Sequence, residues 1–364
     1  MSDKSNARML EMYLEEAESV AMFLTGFFRS PPQNFHTTEK VEIDIRRNTQ
    51  KVAVVVKDLS TGARMNESSK FVNKAFTPPI FKEQGAINAF DMIKRAPGET
   101  PFTDPNFAVN ASREAFVIFR SFEDKIRRSI ELMSSQVLQH GTVTLTDETG
   151  LALYELDFGA KTSHMATVTT PWVVDGTTGN PLADLAALAE IVRRDGKRNP
   201  TRLVFGTSAF QRFIANTQVA KILFTNFHSP GMGQLAPQSP PKGLGGSLQG
   251  RIFIGAYEFE LWTYNDWFEH PVTGVLTNYV DTNNVIMLSD GRLDLTYGAI
   301  PRIVAPEQRA MPFLPPRMSA PDQGLDLTVN AWVTSDGESL MVSAGTRPLT
   351  IPTAIDTYAR LTVA

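Results

Sequence analysis

With 364 residues, 42% hydrophobic and 20% charged, the chain has an ordinary folded composition, long enough for two or three lobes. Its net charge of -4 argues against a dedicated nucleic-acid binder. The absence of cysteine excludes a disulfide framework, a thiolate metal site and a thiol nucleophile. Residues 5–24 then place Leu10, Leu14, Ala17, Ala21 and Leu24 along one side of a short amphipathic helix. The apolar run Ala21–Phe28 is too short to span a bilayer and follows acidic residues, so neither a membrane span nor a signal peptide is expected. Phe23, Phe27 and Phe28 enlarge the apolar surface just before Pro31-Pro32 stops any helix. They suit a core or a neighbouring subunit equally well.

Residues 38–47, TEKVEIDIRR, alternate as a strand with one wet face, and Lys51–Lys57 reads as a second strand. From Lys40 to Lys74 there are eight Lys/Arg against four Asp/Glu. The pattern predicts an excursion: out through 51–57, a turn near Thr61-Gly62, and a return towards Phe76. An isolated hairpin is marginal in water, so such an arm should lie on another copy of the chain. A strand-like piece, PIFKEQGAI, follows Phe76-Thr77-Pro78-Pro79.

From Asn110 to His140 there is neither Pro nor Gly, and Phe119, Phe122, Ile126, Ile130, Met133 and Val137 recur at steps of three and four. This predicts a helix of about 40 Å with one apolar stripe, capped by Asn110 or Ser112. Arg120, Arg127 and Arg128 fall on its polar side. Gly141 ends it, and Thr142–Thr146 and Leu151–Asp157 flank DETG as a hairpin. Residues 160–180 read as loop. Asn180-Pro181 caps a helix, LADLAALAEIVRR, that ends before Gly196. Arg202–Phe205 reads as a buried strand, and Thr207 caps a helix broken near Asn216; together they imply a small α/β lobe. In residues 225–250, ten of 26 are Gly or Pro, a segment expected to be mobile or held by a partner. Strands follow at Arg251–Trp262, 272–280, 284–288 and 293–297, then at 325–333, 340–343 and 357–363.

No recognised catalytic constellation emerges. GLGGSLQG at 243–250 lacks the sixth-position glycine of GxGxxG and precedes a strand instead of opening a helix. The five histidines show no metal-ligand spacing, and Asp281, Asp290 and Asp294 read as solvated turn residues before cation ligands. The pairs among Arg193, Arg194, Lys197 and Arg198 lack interleaved aromatics, which allows only non-specific phosphate contact. No cofactor is expected.

Ordered strings then carry a resemblance. Phe27-Phe28-Arg29 with Phe35 and Thr37–Val41, then Phe76-Thr77-Pro78, then Leu138–Thr146 with Leu156–Gly159, and finally Gly291-Arg292 and Thr296–Gly298 resemble the phage lambda major capsid protein (head protein E) family. The resemblance implies an α+β Hong Kong 97-like major capsid protein fold. Residues 1–47 would be an N-terminal arm, 48–80 an extended E-loop, 81–171 a P domain with spine helix 110–140, 172–300 an A domain, and 301–364 the P-domain return strands. It implies self-assembly as hexamers and pentamers into an icosahedral head shell, without catalysis, in the virion and, during assembly, the host cytoplasm. A scaffold or assembly protease, a portal, decoration proteins and non-specifically packaged double-stranded DNA are the implied partners. The expected inter-subunit contacts are Phe23, Phe27, Phe28 and Arg29 in the arm and Lys57, Arg64, Lys70 and Lys74 in the loop. The apolar ones would supply buried area and the basic ones registry. The competing readings are another virion structural protein, such as a tail-tube subunit, and a small-molecule-binding or enzymatic α/β protein.

Overall fold

A computed structural model gives the fold, describing residues 20–38, 40–46, 71–88, 107–147, 149–174, 176–225, 233–234, 245–300, 326–334 and 337–364. Strands β1 (Val41–Arg46) and β2 (Phe71–Phe76) form an antiparallel ladder from Val41↔Phe76 to Arg46↔Phe71. The base of the predicted excursion is therefore present, while 51–57 and the turn at Thr61-Gly62 lie outside the described residues. β3 (Phe81–Asn88) leads towards the long helix α1 (Phe107–His140). That helix starts a turn earlier than expected, so Asn110 and Ser112 sit inside it and do not cap it.

The apolar stripe of α1 is real: Phe122, Ile126, Ile130, Met133 and Val137 are all buried, with Phe119 packed beside them. At about 1.5–3 kcal/mol per large buried side chain, this stripe is a main support of the fold. A single stripe is not the whole account, however. Residues 130–139 are covered nearly all round, and Glu131, Ser134, Ser135 and Gln139 form a second, buried polar row. Arg127 is also engaged within the chain, by Glu123 at 2.6 Å and Asp326 at 3.6 Å, and so is not a free basic group for a neighbour.

The hairpin after α1 pairs β4 (Thr142–Thr146) with β5 (Ala152–Asp157) across a turn in which the Asp147 carboxylate accepts from the backbone N–H groups of Thr149 and Leu151. β6 (Met165–Thr167) and a buried Trp172 interrupt the stretch read as loop. Trp172 donates its indole N–H to Asp184 and anchors the next lobe. There α2 (Pro181–Gly196) is capped as expected, the Asn180 side chain accepting from the Ala183 N–H and Pro181 filling the first turn. It runs through Gly196 and turns out at Lys197, φ 58. The glycine has a different job from capping: a Cβ there would lie 2.4 Å from the Asp356 carbonyl.

β7 (Pro200–Phe205) is followed by α3 (Thr207–Ala215) and α4 (Thr217–Thr225), broken at Asn216 as predicted, although Gly206 and not Thr207 occupies the cap position. The short β8 (Gly233–Gln234) precedes β9 (Gly246–Ile254) and β10 (Tyr257–Tyr264), which replace the single strand expected over 251–262. The apolar positions shift phase at Gly255-Ala256, from Ile252 and Ile254 to Tyr257, Phe259 and Leu261, because the chain reverses there. The remaining strands are β11 (Trp267–Glu269), β12 (Leu276–Asn278), β13 (Asn284–Ser289), β14 (Asp294–Tyr297), β15 (Thr328–Val333), β16 (Ser339–Thr346), β17 (Pro348–Ile351) and β18 (Tyr358–Thr362).

A seven-stranded mixed sheet, ordered β6-β18-β13-β7-β10-β9-β8, is the backbone of the second lobe. Helices α2, α3 and α4 contribute Leu185, Leu188, Val192, Phe213 and Val219 to its core. Two of its strands, β6 and β18, come from stretches that the sequence reading assigned to the P domain, so divisions at 172 and 300 cut through one sheet. β13 and β14, adjacent in sequence, separate: β13 joins this sheet and β14 pairs with β17. The sheet β15-β16-β3 lies against α1, with Gly85 of β3 under the Phe122 ring.

Candidate assembly surfaces

The arm residues enter the structure at a buried carboxylate. Glu131 is fully buried on α1 and accepts four hydrogen bonds. Its Oε1 takes the Leu24 N–H at 2.7 Å and the Tyr264 hydroxyl at 2.9 Å; its Oε2 takes the Thr25 N–H at 2.9 Å and the Thr25 hydroxyl at 2.7 Å. Burial pushes its pKa above the ordinary carboxylate value, while the surrounding donors oppose that shift. One side chain thus ties together the arm, the long helix and β10. Along the same row Gln139 accepts from the Asp281 N–H and the Asn284 amide, and donates to the Tyr279 carbonyl. The helix is a frame to which arm and second lobe are bolted.

This docking decides the fate of the three phenylalanines. Phe28 is only 6% exposed and belongs to the core of its own subunit, which corrects its assignment as an inter-subunit contact. Phe23 stacks on Tyr264 at 5.2 Å between centroids and packs beside Trp262 and Phe27. Gly246 makes that possible, since a Cβ there would lie 2.4 Å from the Phe23 ring. Gly246, within the glycine-rich string, is therefore a seat for an aromatic ring and not part of a phosphate loop. Phe27 keeps partial exposure under the Arg202 guanidinium, 5.8 Å from its centroid. Arg29 has an exposed side chain, while its backbone N–H donates to the Leu293 carbonyl.

Of the loop residues, Lys57, Arg64 and Lys70 lie outside the described residues, and Lys74 sits on β2 opposite Ile43. The β1–β2 ladder pairs Arg46 with Phe71, the residues on either side of 47–70. That segment carries five Lys/Arg and two Asp/Glu in a chain whose net charge is -4.

Among the described residues, no group of three His, Asp or Glu side chains is arranged to hold a metal ion. Asp294, one of the acidic turn residues, is buried and bonded to Arg292 and Thr353. No described helix is long and apolar enough to cross a membrane. A groove of about 500 Å³ between the last turns of α1 and β12 is lined by Gln136, Gln139, His140, Phe268, Thr277 and Asp281.

Sequence reasoning missed Glu131. The available signal was contrast: residues 113–128 of the helix hold eight charged side chains, whereas 129–139 hold this one alone.

Comparison with known proteins agrees with this architecture. The profile of the phage major capsid protein E family matches residues 8–363. A prophage protein from E. coli CFT073, assigned as its capsid protein, superposes with a TM-score of 0.61 at 15% identity, covering 98% of each chain. A phage-related protein from Bordetella bronchiseptica RB50 gives 0.50 at 9% identity, covering 98% of this chain and 96% of its own. No curated protein sequence matches.

Proposed function

The chain belongs to the phage major capsid protein E family, and from that premise we propose how its parts divide the work of building a shell. The family role is structural: copies associate with one another and the protein resides in the virion. In our reading residues 1–47 are the arm, 48–80 the extended loop, and α1 the spine of a P domain that includes β3, β15 and β16. The seven-stranded sheet with α2, α3 and α4 is the A domain, to which β6 and β18 are better assigned. The copies meet as hexamers and pentamers of an icosahedral shell assembled in the host cytoplasm. A scaffold or assembly protease, a portal, decoration proteins and packaged DNA are its proposed partners.

The observation that carries this reading is the β1–β2 ladder, which pairs Arg46 with Phe71 and so sets the two ends of the basic stretch 47–70 side by side. Lys57, Arg64, Lys70 and Lys74 supply its charge, and Arg29 with the exposed part of Phe27 adds a second contact; each interface can be modest because a closed shell repeats it. Since Phe71 and Val72 pair with Arg46 and Ile45, the informative deletion stops short of them. Replacing residues 50–68 by a short Gly-Ser bridge should leave a folded subunit, by circular dichroism, that forms no closed particles in negative stain. Closed particles from that variant would overturn the role assigned to the loop.

A further inference from the structure

The subunit has two exposed surfaces whose charges its own chain leaves unmatched, and they are opposite in sign. The first is a corner assembled from three stretches far apart in sequence. Arg29 is fixed along the start of β14, its N–H donating to the Leu293 carbonyl at 2.8 Å and its carbonyl accepting from the Leu295 N–H at 2.9 Å. Two residues earlier, Phe27 lies under the Arg202 guanidinium. Arg202 reaches the Asp290 carboxylate at 3.8 Å, and the Asp290 carbonyl accepts from the Arg198 guanidinium. Asp290 and Glu260 match the charge of Arg202. Arg29 and Arg198 are both exposed, and among the described residues no carboxylate pairs with either guanidinium.

The second surface is the outward face of β5. Leu153, Glu155 and Asp157 are exposed there and alternate with the half-buried Tyr154 and Leu156, and Leu151 continues the row into the turn. Leu151 is 63% exposed and Leu153 69%, so a partner that covers them gains apolar burial. Among the described residues no Lys, Arg or His pairs with the Glu155 or Asp157 carboxylate. From the turn onward the row is two apolar side chains followed by two anions. Its chemical complement, an aromatic ring beside two unmatched cations, is the corner at Phe27.

We propose that the outward face of β5 on one copy docks on the corner formed by Phe27, Arg29 and Arg198 of a second copy. Glu155 and Asp157 face the two arginines, and Leu151 and Leu153 cover the part of Phe27 left exposed. The chain does not close this contact on itself. Its ladder with β4 holds β5, the bonds to Leu293 and Leu295 hold Arg29, and among the described contacts none joins the two surfaces. The occupant is a second copy because the family role is association between copies, and because one such contact satisfies both surfaces. A polyanion would take the arginines and leave the leucines and carboxylates of β5 open. Since the two surfaces differ, the contact is heterologous, the kind that closes into rings when the rotation fits. Exposed ion pairs are individually weak, so the charges set the register while the leucines and Phe27 supply buried area. This assignment deepens the contact proposed above for Phe27 and Arg29 and rests on it.

Because the chain has no cysteine, single introduced cysteines report the contact. A paired arginine and glutamate hold their Cα atoms too far apart for a disulfide. Arg29→Cys and Glu155→Cys chains are therefore mixed and treated with a short bismaleimide, and particles are followed separately by negative stain. A covalent dimer in the mixture, absent from either variant alone, is the expected result. A mixture without that dimer overturns the docking, and closed particles in it leave the shell-building role standing. A dimer without particles supports the docking and contradicts the shell-building role. Charge reversal gives a second readout. Arg29→Glu with Arg198→Glu, and Glu155→Arg with Asp157→Arg, should each cut particle yield by about tenfold or more, and the chain carrying all four should regain most of it. A folded four-substitution chain that regains nothing overturns the proposal. So does an arginine-reversed chain whose particles form normally but hold less nucleic acid, which assigns the corner to a polyanion. Where a reversed chain fails to fold by circular dichroism, the crosslink decides.

Discussion

Replacing Glu131 by Gln tests whether one buried carboxylate holds the arm to the helix. In the wild type two oxygens serve four donors, two backbone N–H groups and two hydroxyls. A glutamine oxygen can keep one pair, while its amide NH₂ faces the other, whose hydroxyl can turn to accept from it but whose backbone N–H cannot. One buried N–H then lacks an acceptor, at about 1–3 kcal/mol, and the bonds that remain lose their charge assistance, at about 1 kcal/mol. The variant avoids the desolvation cost of a buried charge, which offsets part of this and leaves a net loss of about 2–3 kcal/mol. Because the affected groups lie in residues 24–25, the loss should appear as local opening of the arm. Exchange at the Leu24 and Thr25 amides should accelerate by about 30- to 150-fold, with the buried strand β13 unaffected. Thr25→Val, which removes one hydroxyl, should cost only about 1 kcal/mol. Burial holds the Glu131 pKa above its ordinary 4.5, so the folded state takes up a proton before the unfolded chain does. Wild type should therefore gain stability over the Gln variant as pH falls towards 4.5. Unchanged exchange at Leu24 and Thr25 in Glu131→Gln would refute the latch.

Two further substitutions probe other joints. Gly246→Ala puts a Cβ 2.4 Å from the Phe23 ring. It should cost about 1–3 kcal/mol by overpacking and change the fluorescence of Trp262, which packs on Phe23. Asp195, bonded to Lys161 at 2.7 Å and close to His164 at 3.4 Å, has its pKa lowered from 3.8 to about 2, chiefly by the Lys161 hydrogen bond. Its contribution is fully present above 3.8 and lost as pH falls through about 2, so the stability gap between wild type and Asp195→Asn in urea should close over that interval.

Much of the fold was legible where the signal is local. The stripe of α1, the Asn180-Pro181 cap, the break at Asn216 and the DETG hairpin each follow from spacing within a few residues. The partnership of strands was not. β18 joins β13 and β6, and β14 joins β17, through pairings that no local periodicity encodes. The phase shift at Gly255-Ala256 was visible in the sequence, but an alternating pattern on either side hid the reversal. The candidate contacts divide for a physical reason: aromatic residues near a terminus look the same whether they cover a neighbour or their own core. The Glu131 clamp, the space left by Gly246 and the bonds of Arg29 to Leu293 and Leu295 direct Phe23 and Phe28 inward. The basic residues between β1 and β2 are proposed contacts on their sequence and on the ladder that pairs Arg46 with Phe71.

The central claim is that this chain builds closed shells from copies of itself. Electron microscopy of the purified chain, expressed alone and with its assembly partners, tests it most directly. Closed icosahedral particles that resolve into hexamers and pentamers are predicted; a discrete small oligomer under both conditions would contradict the account.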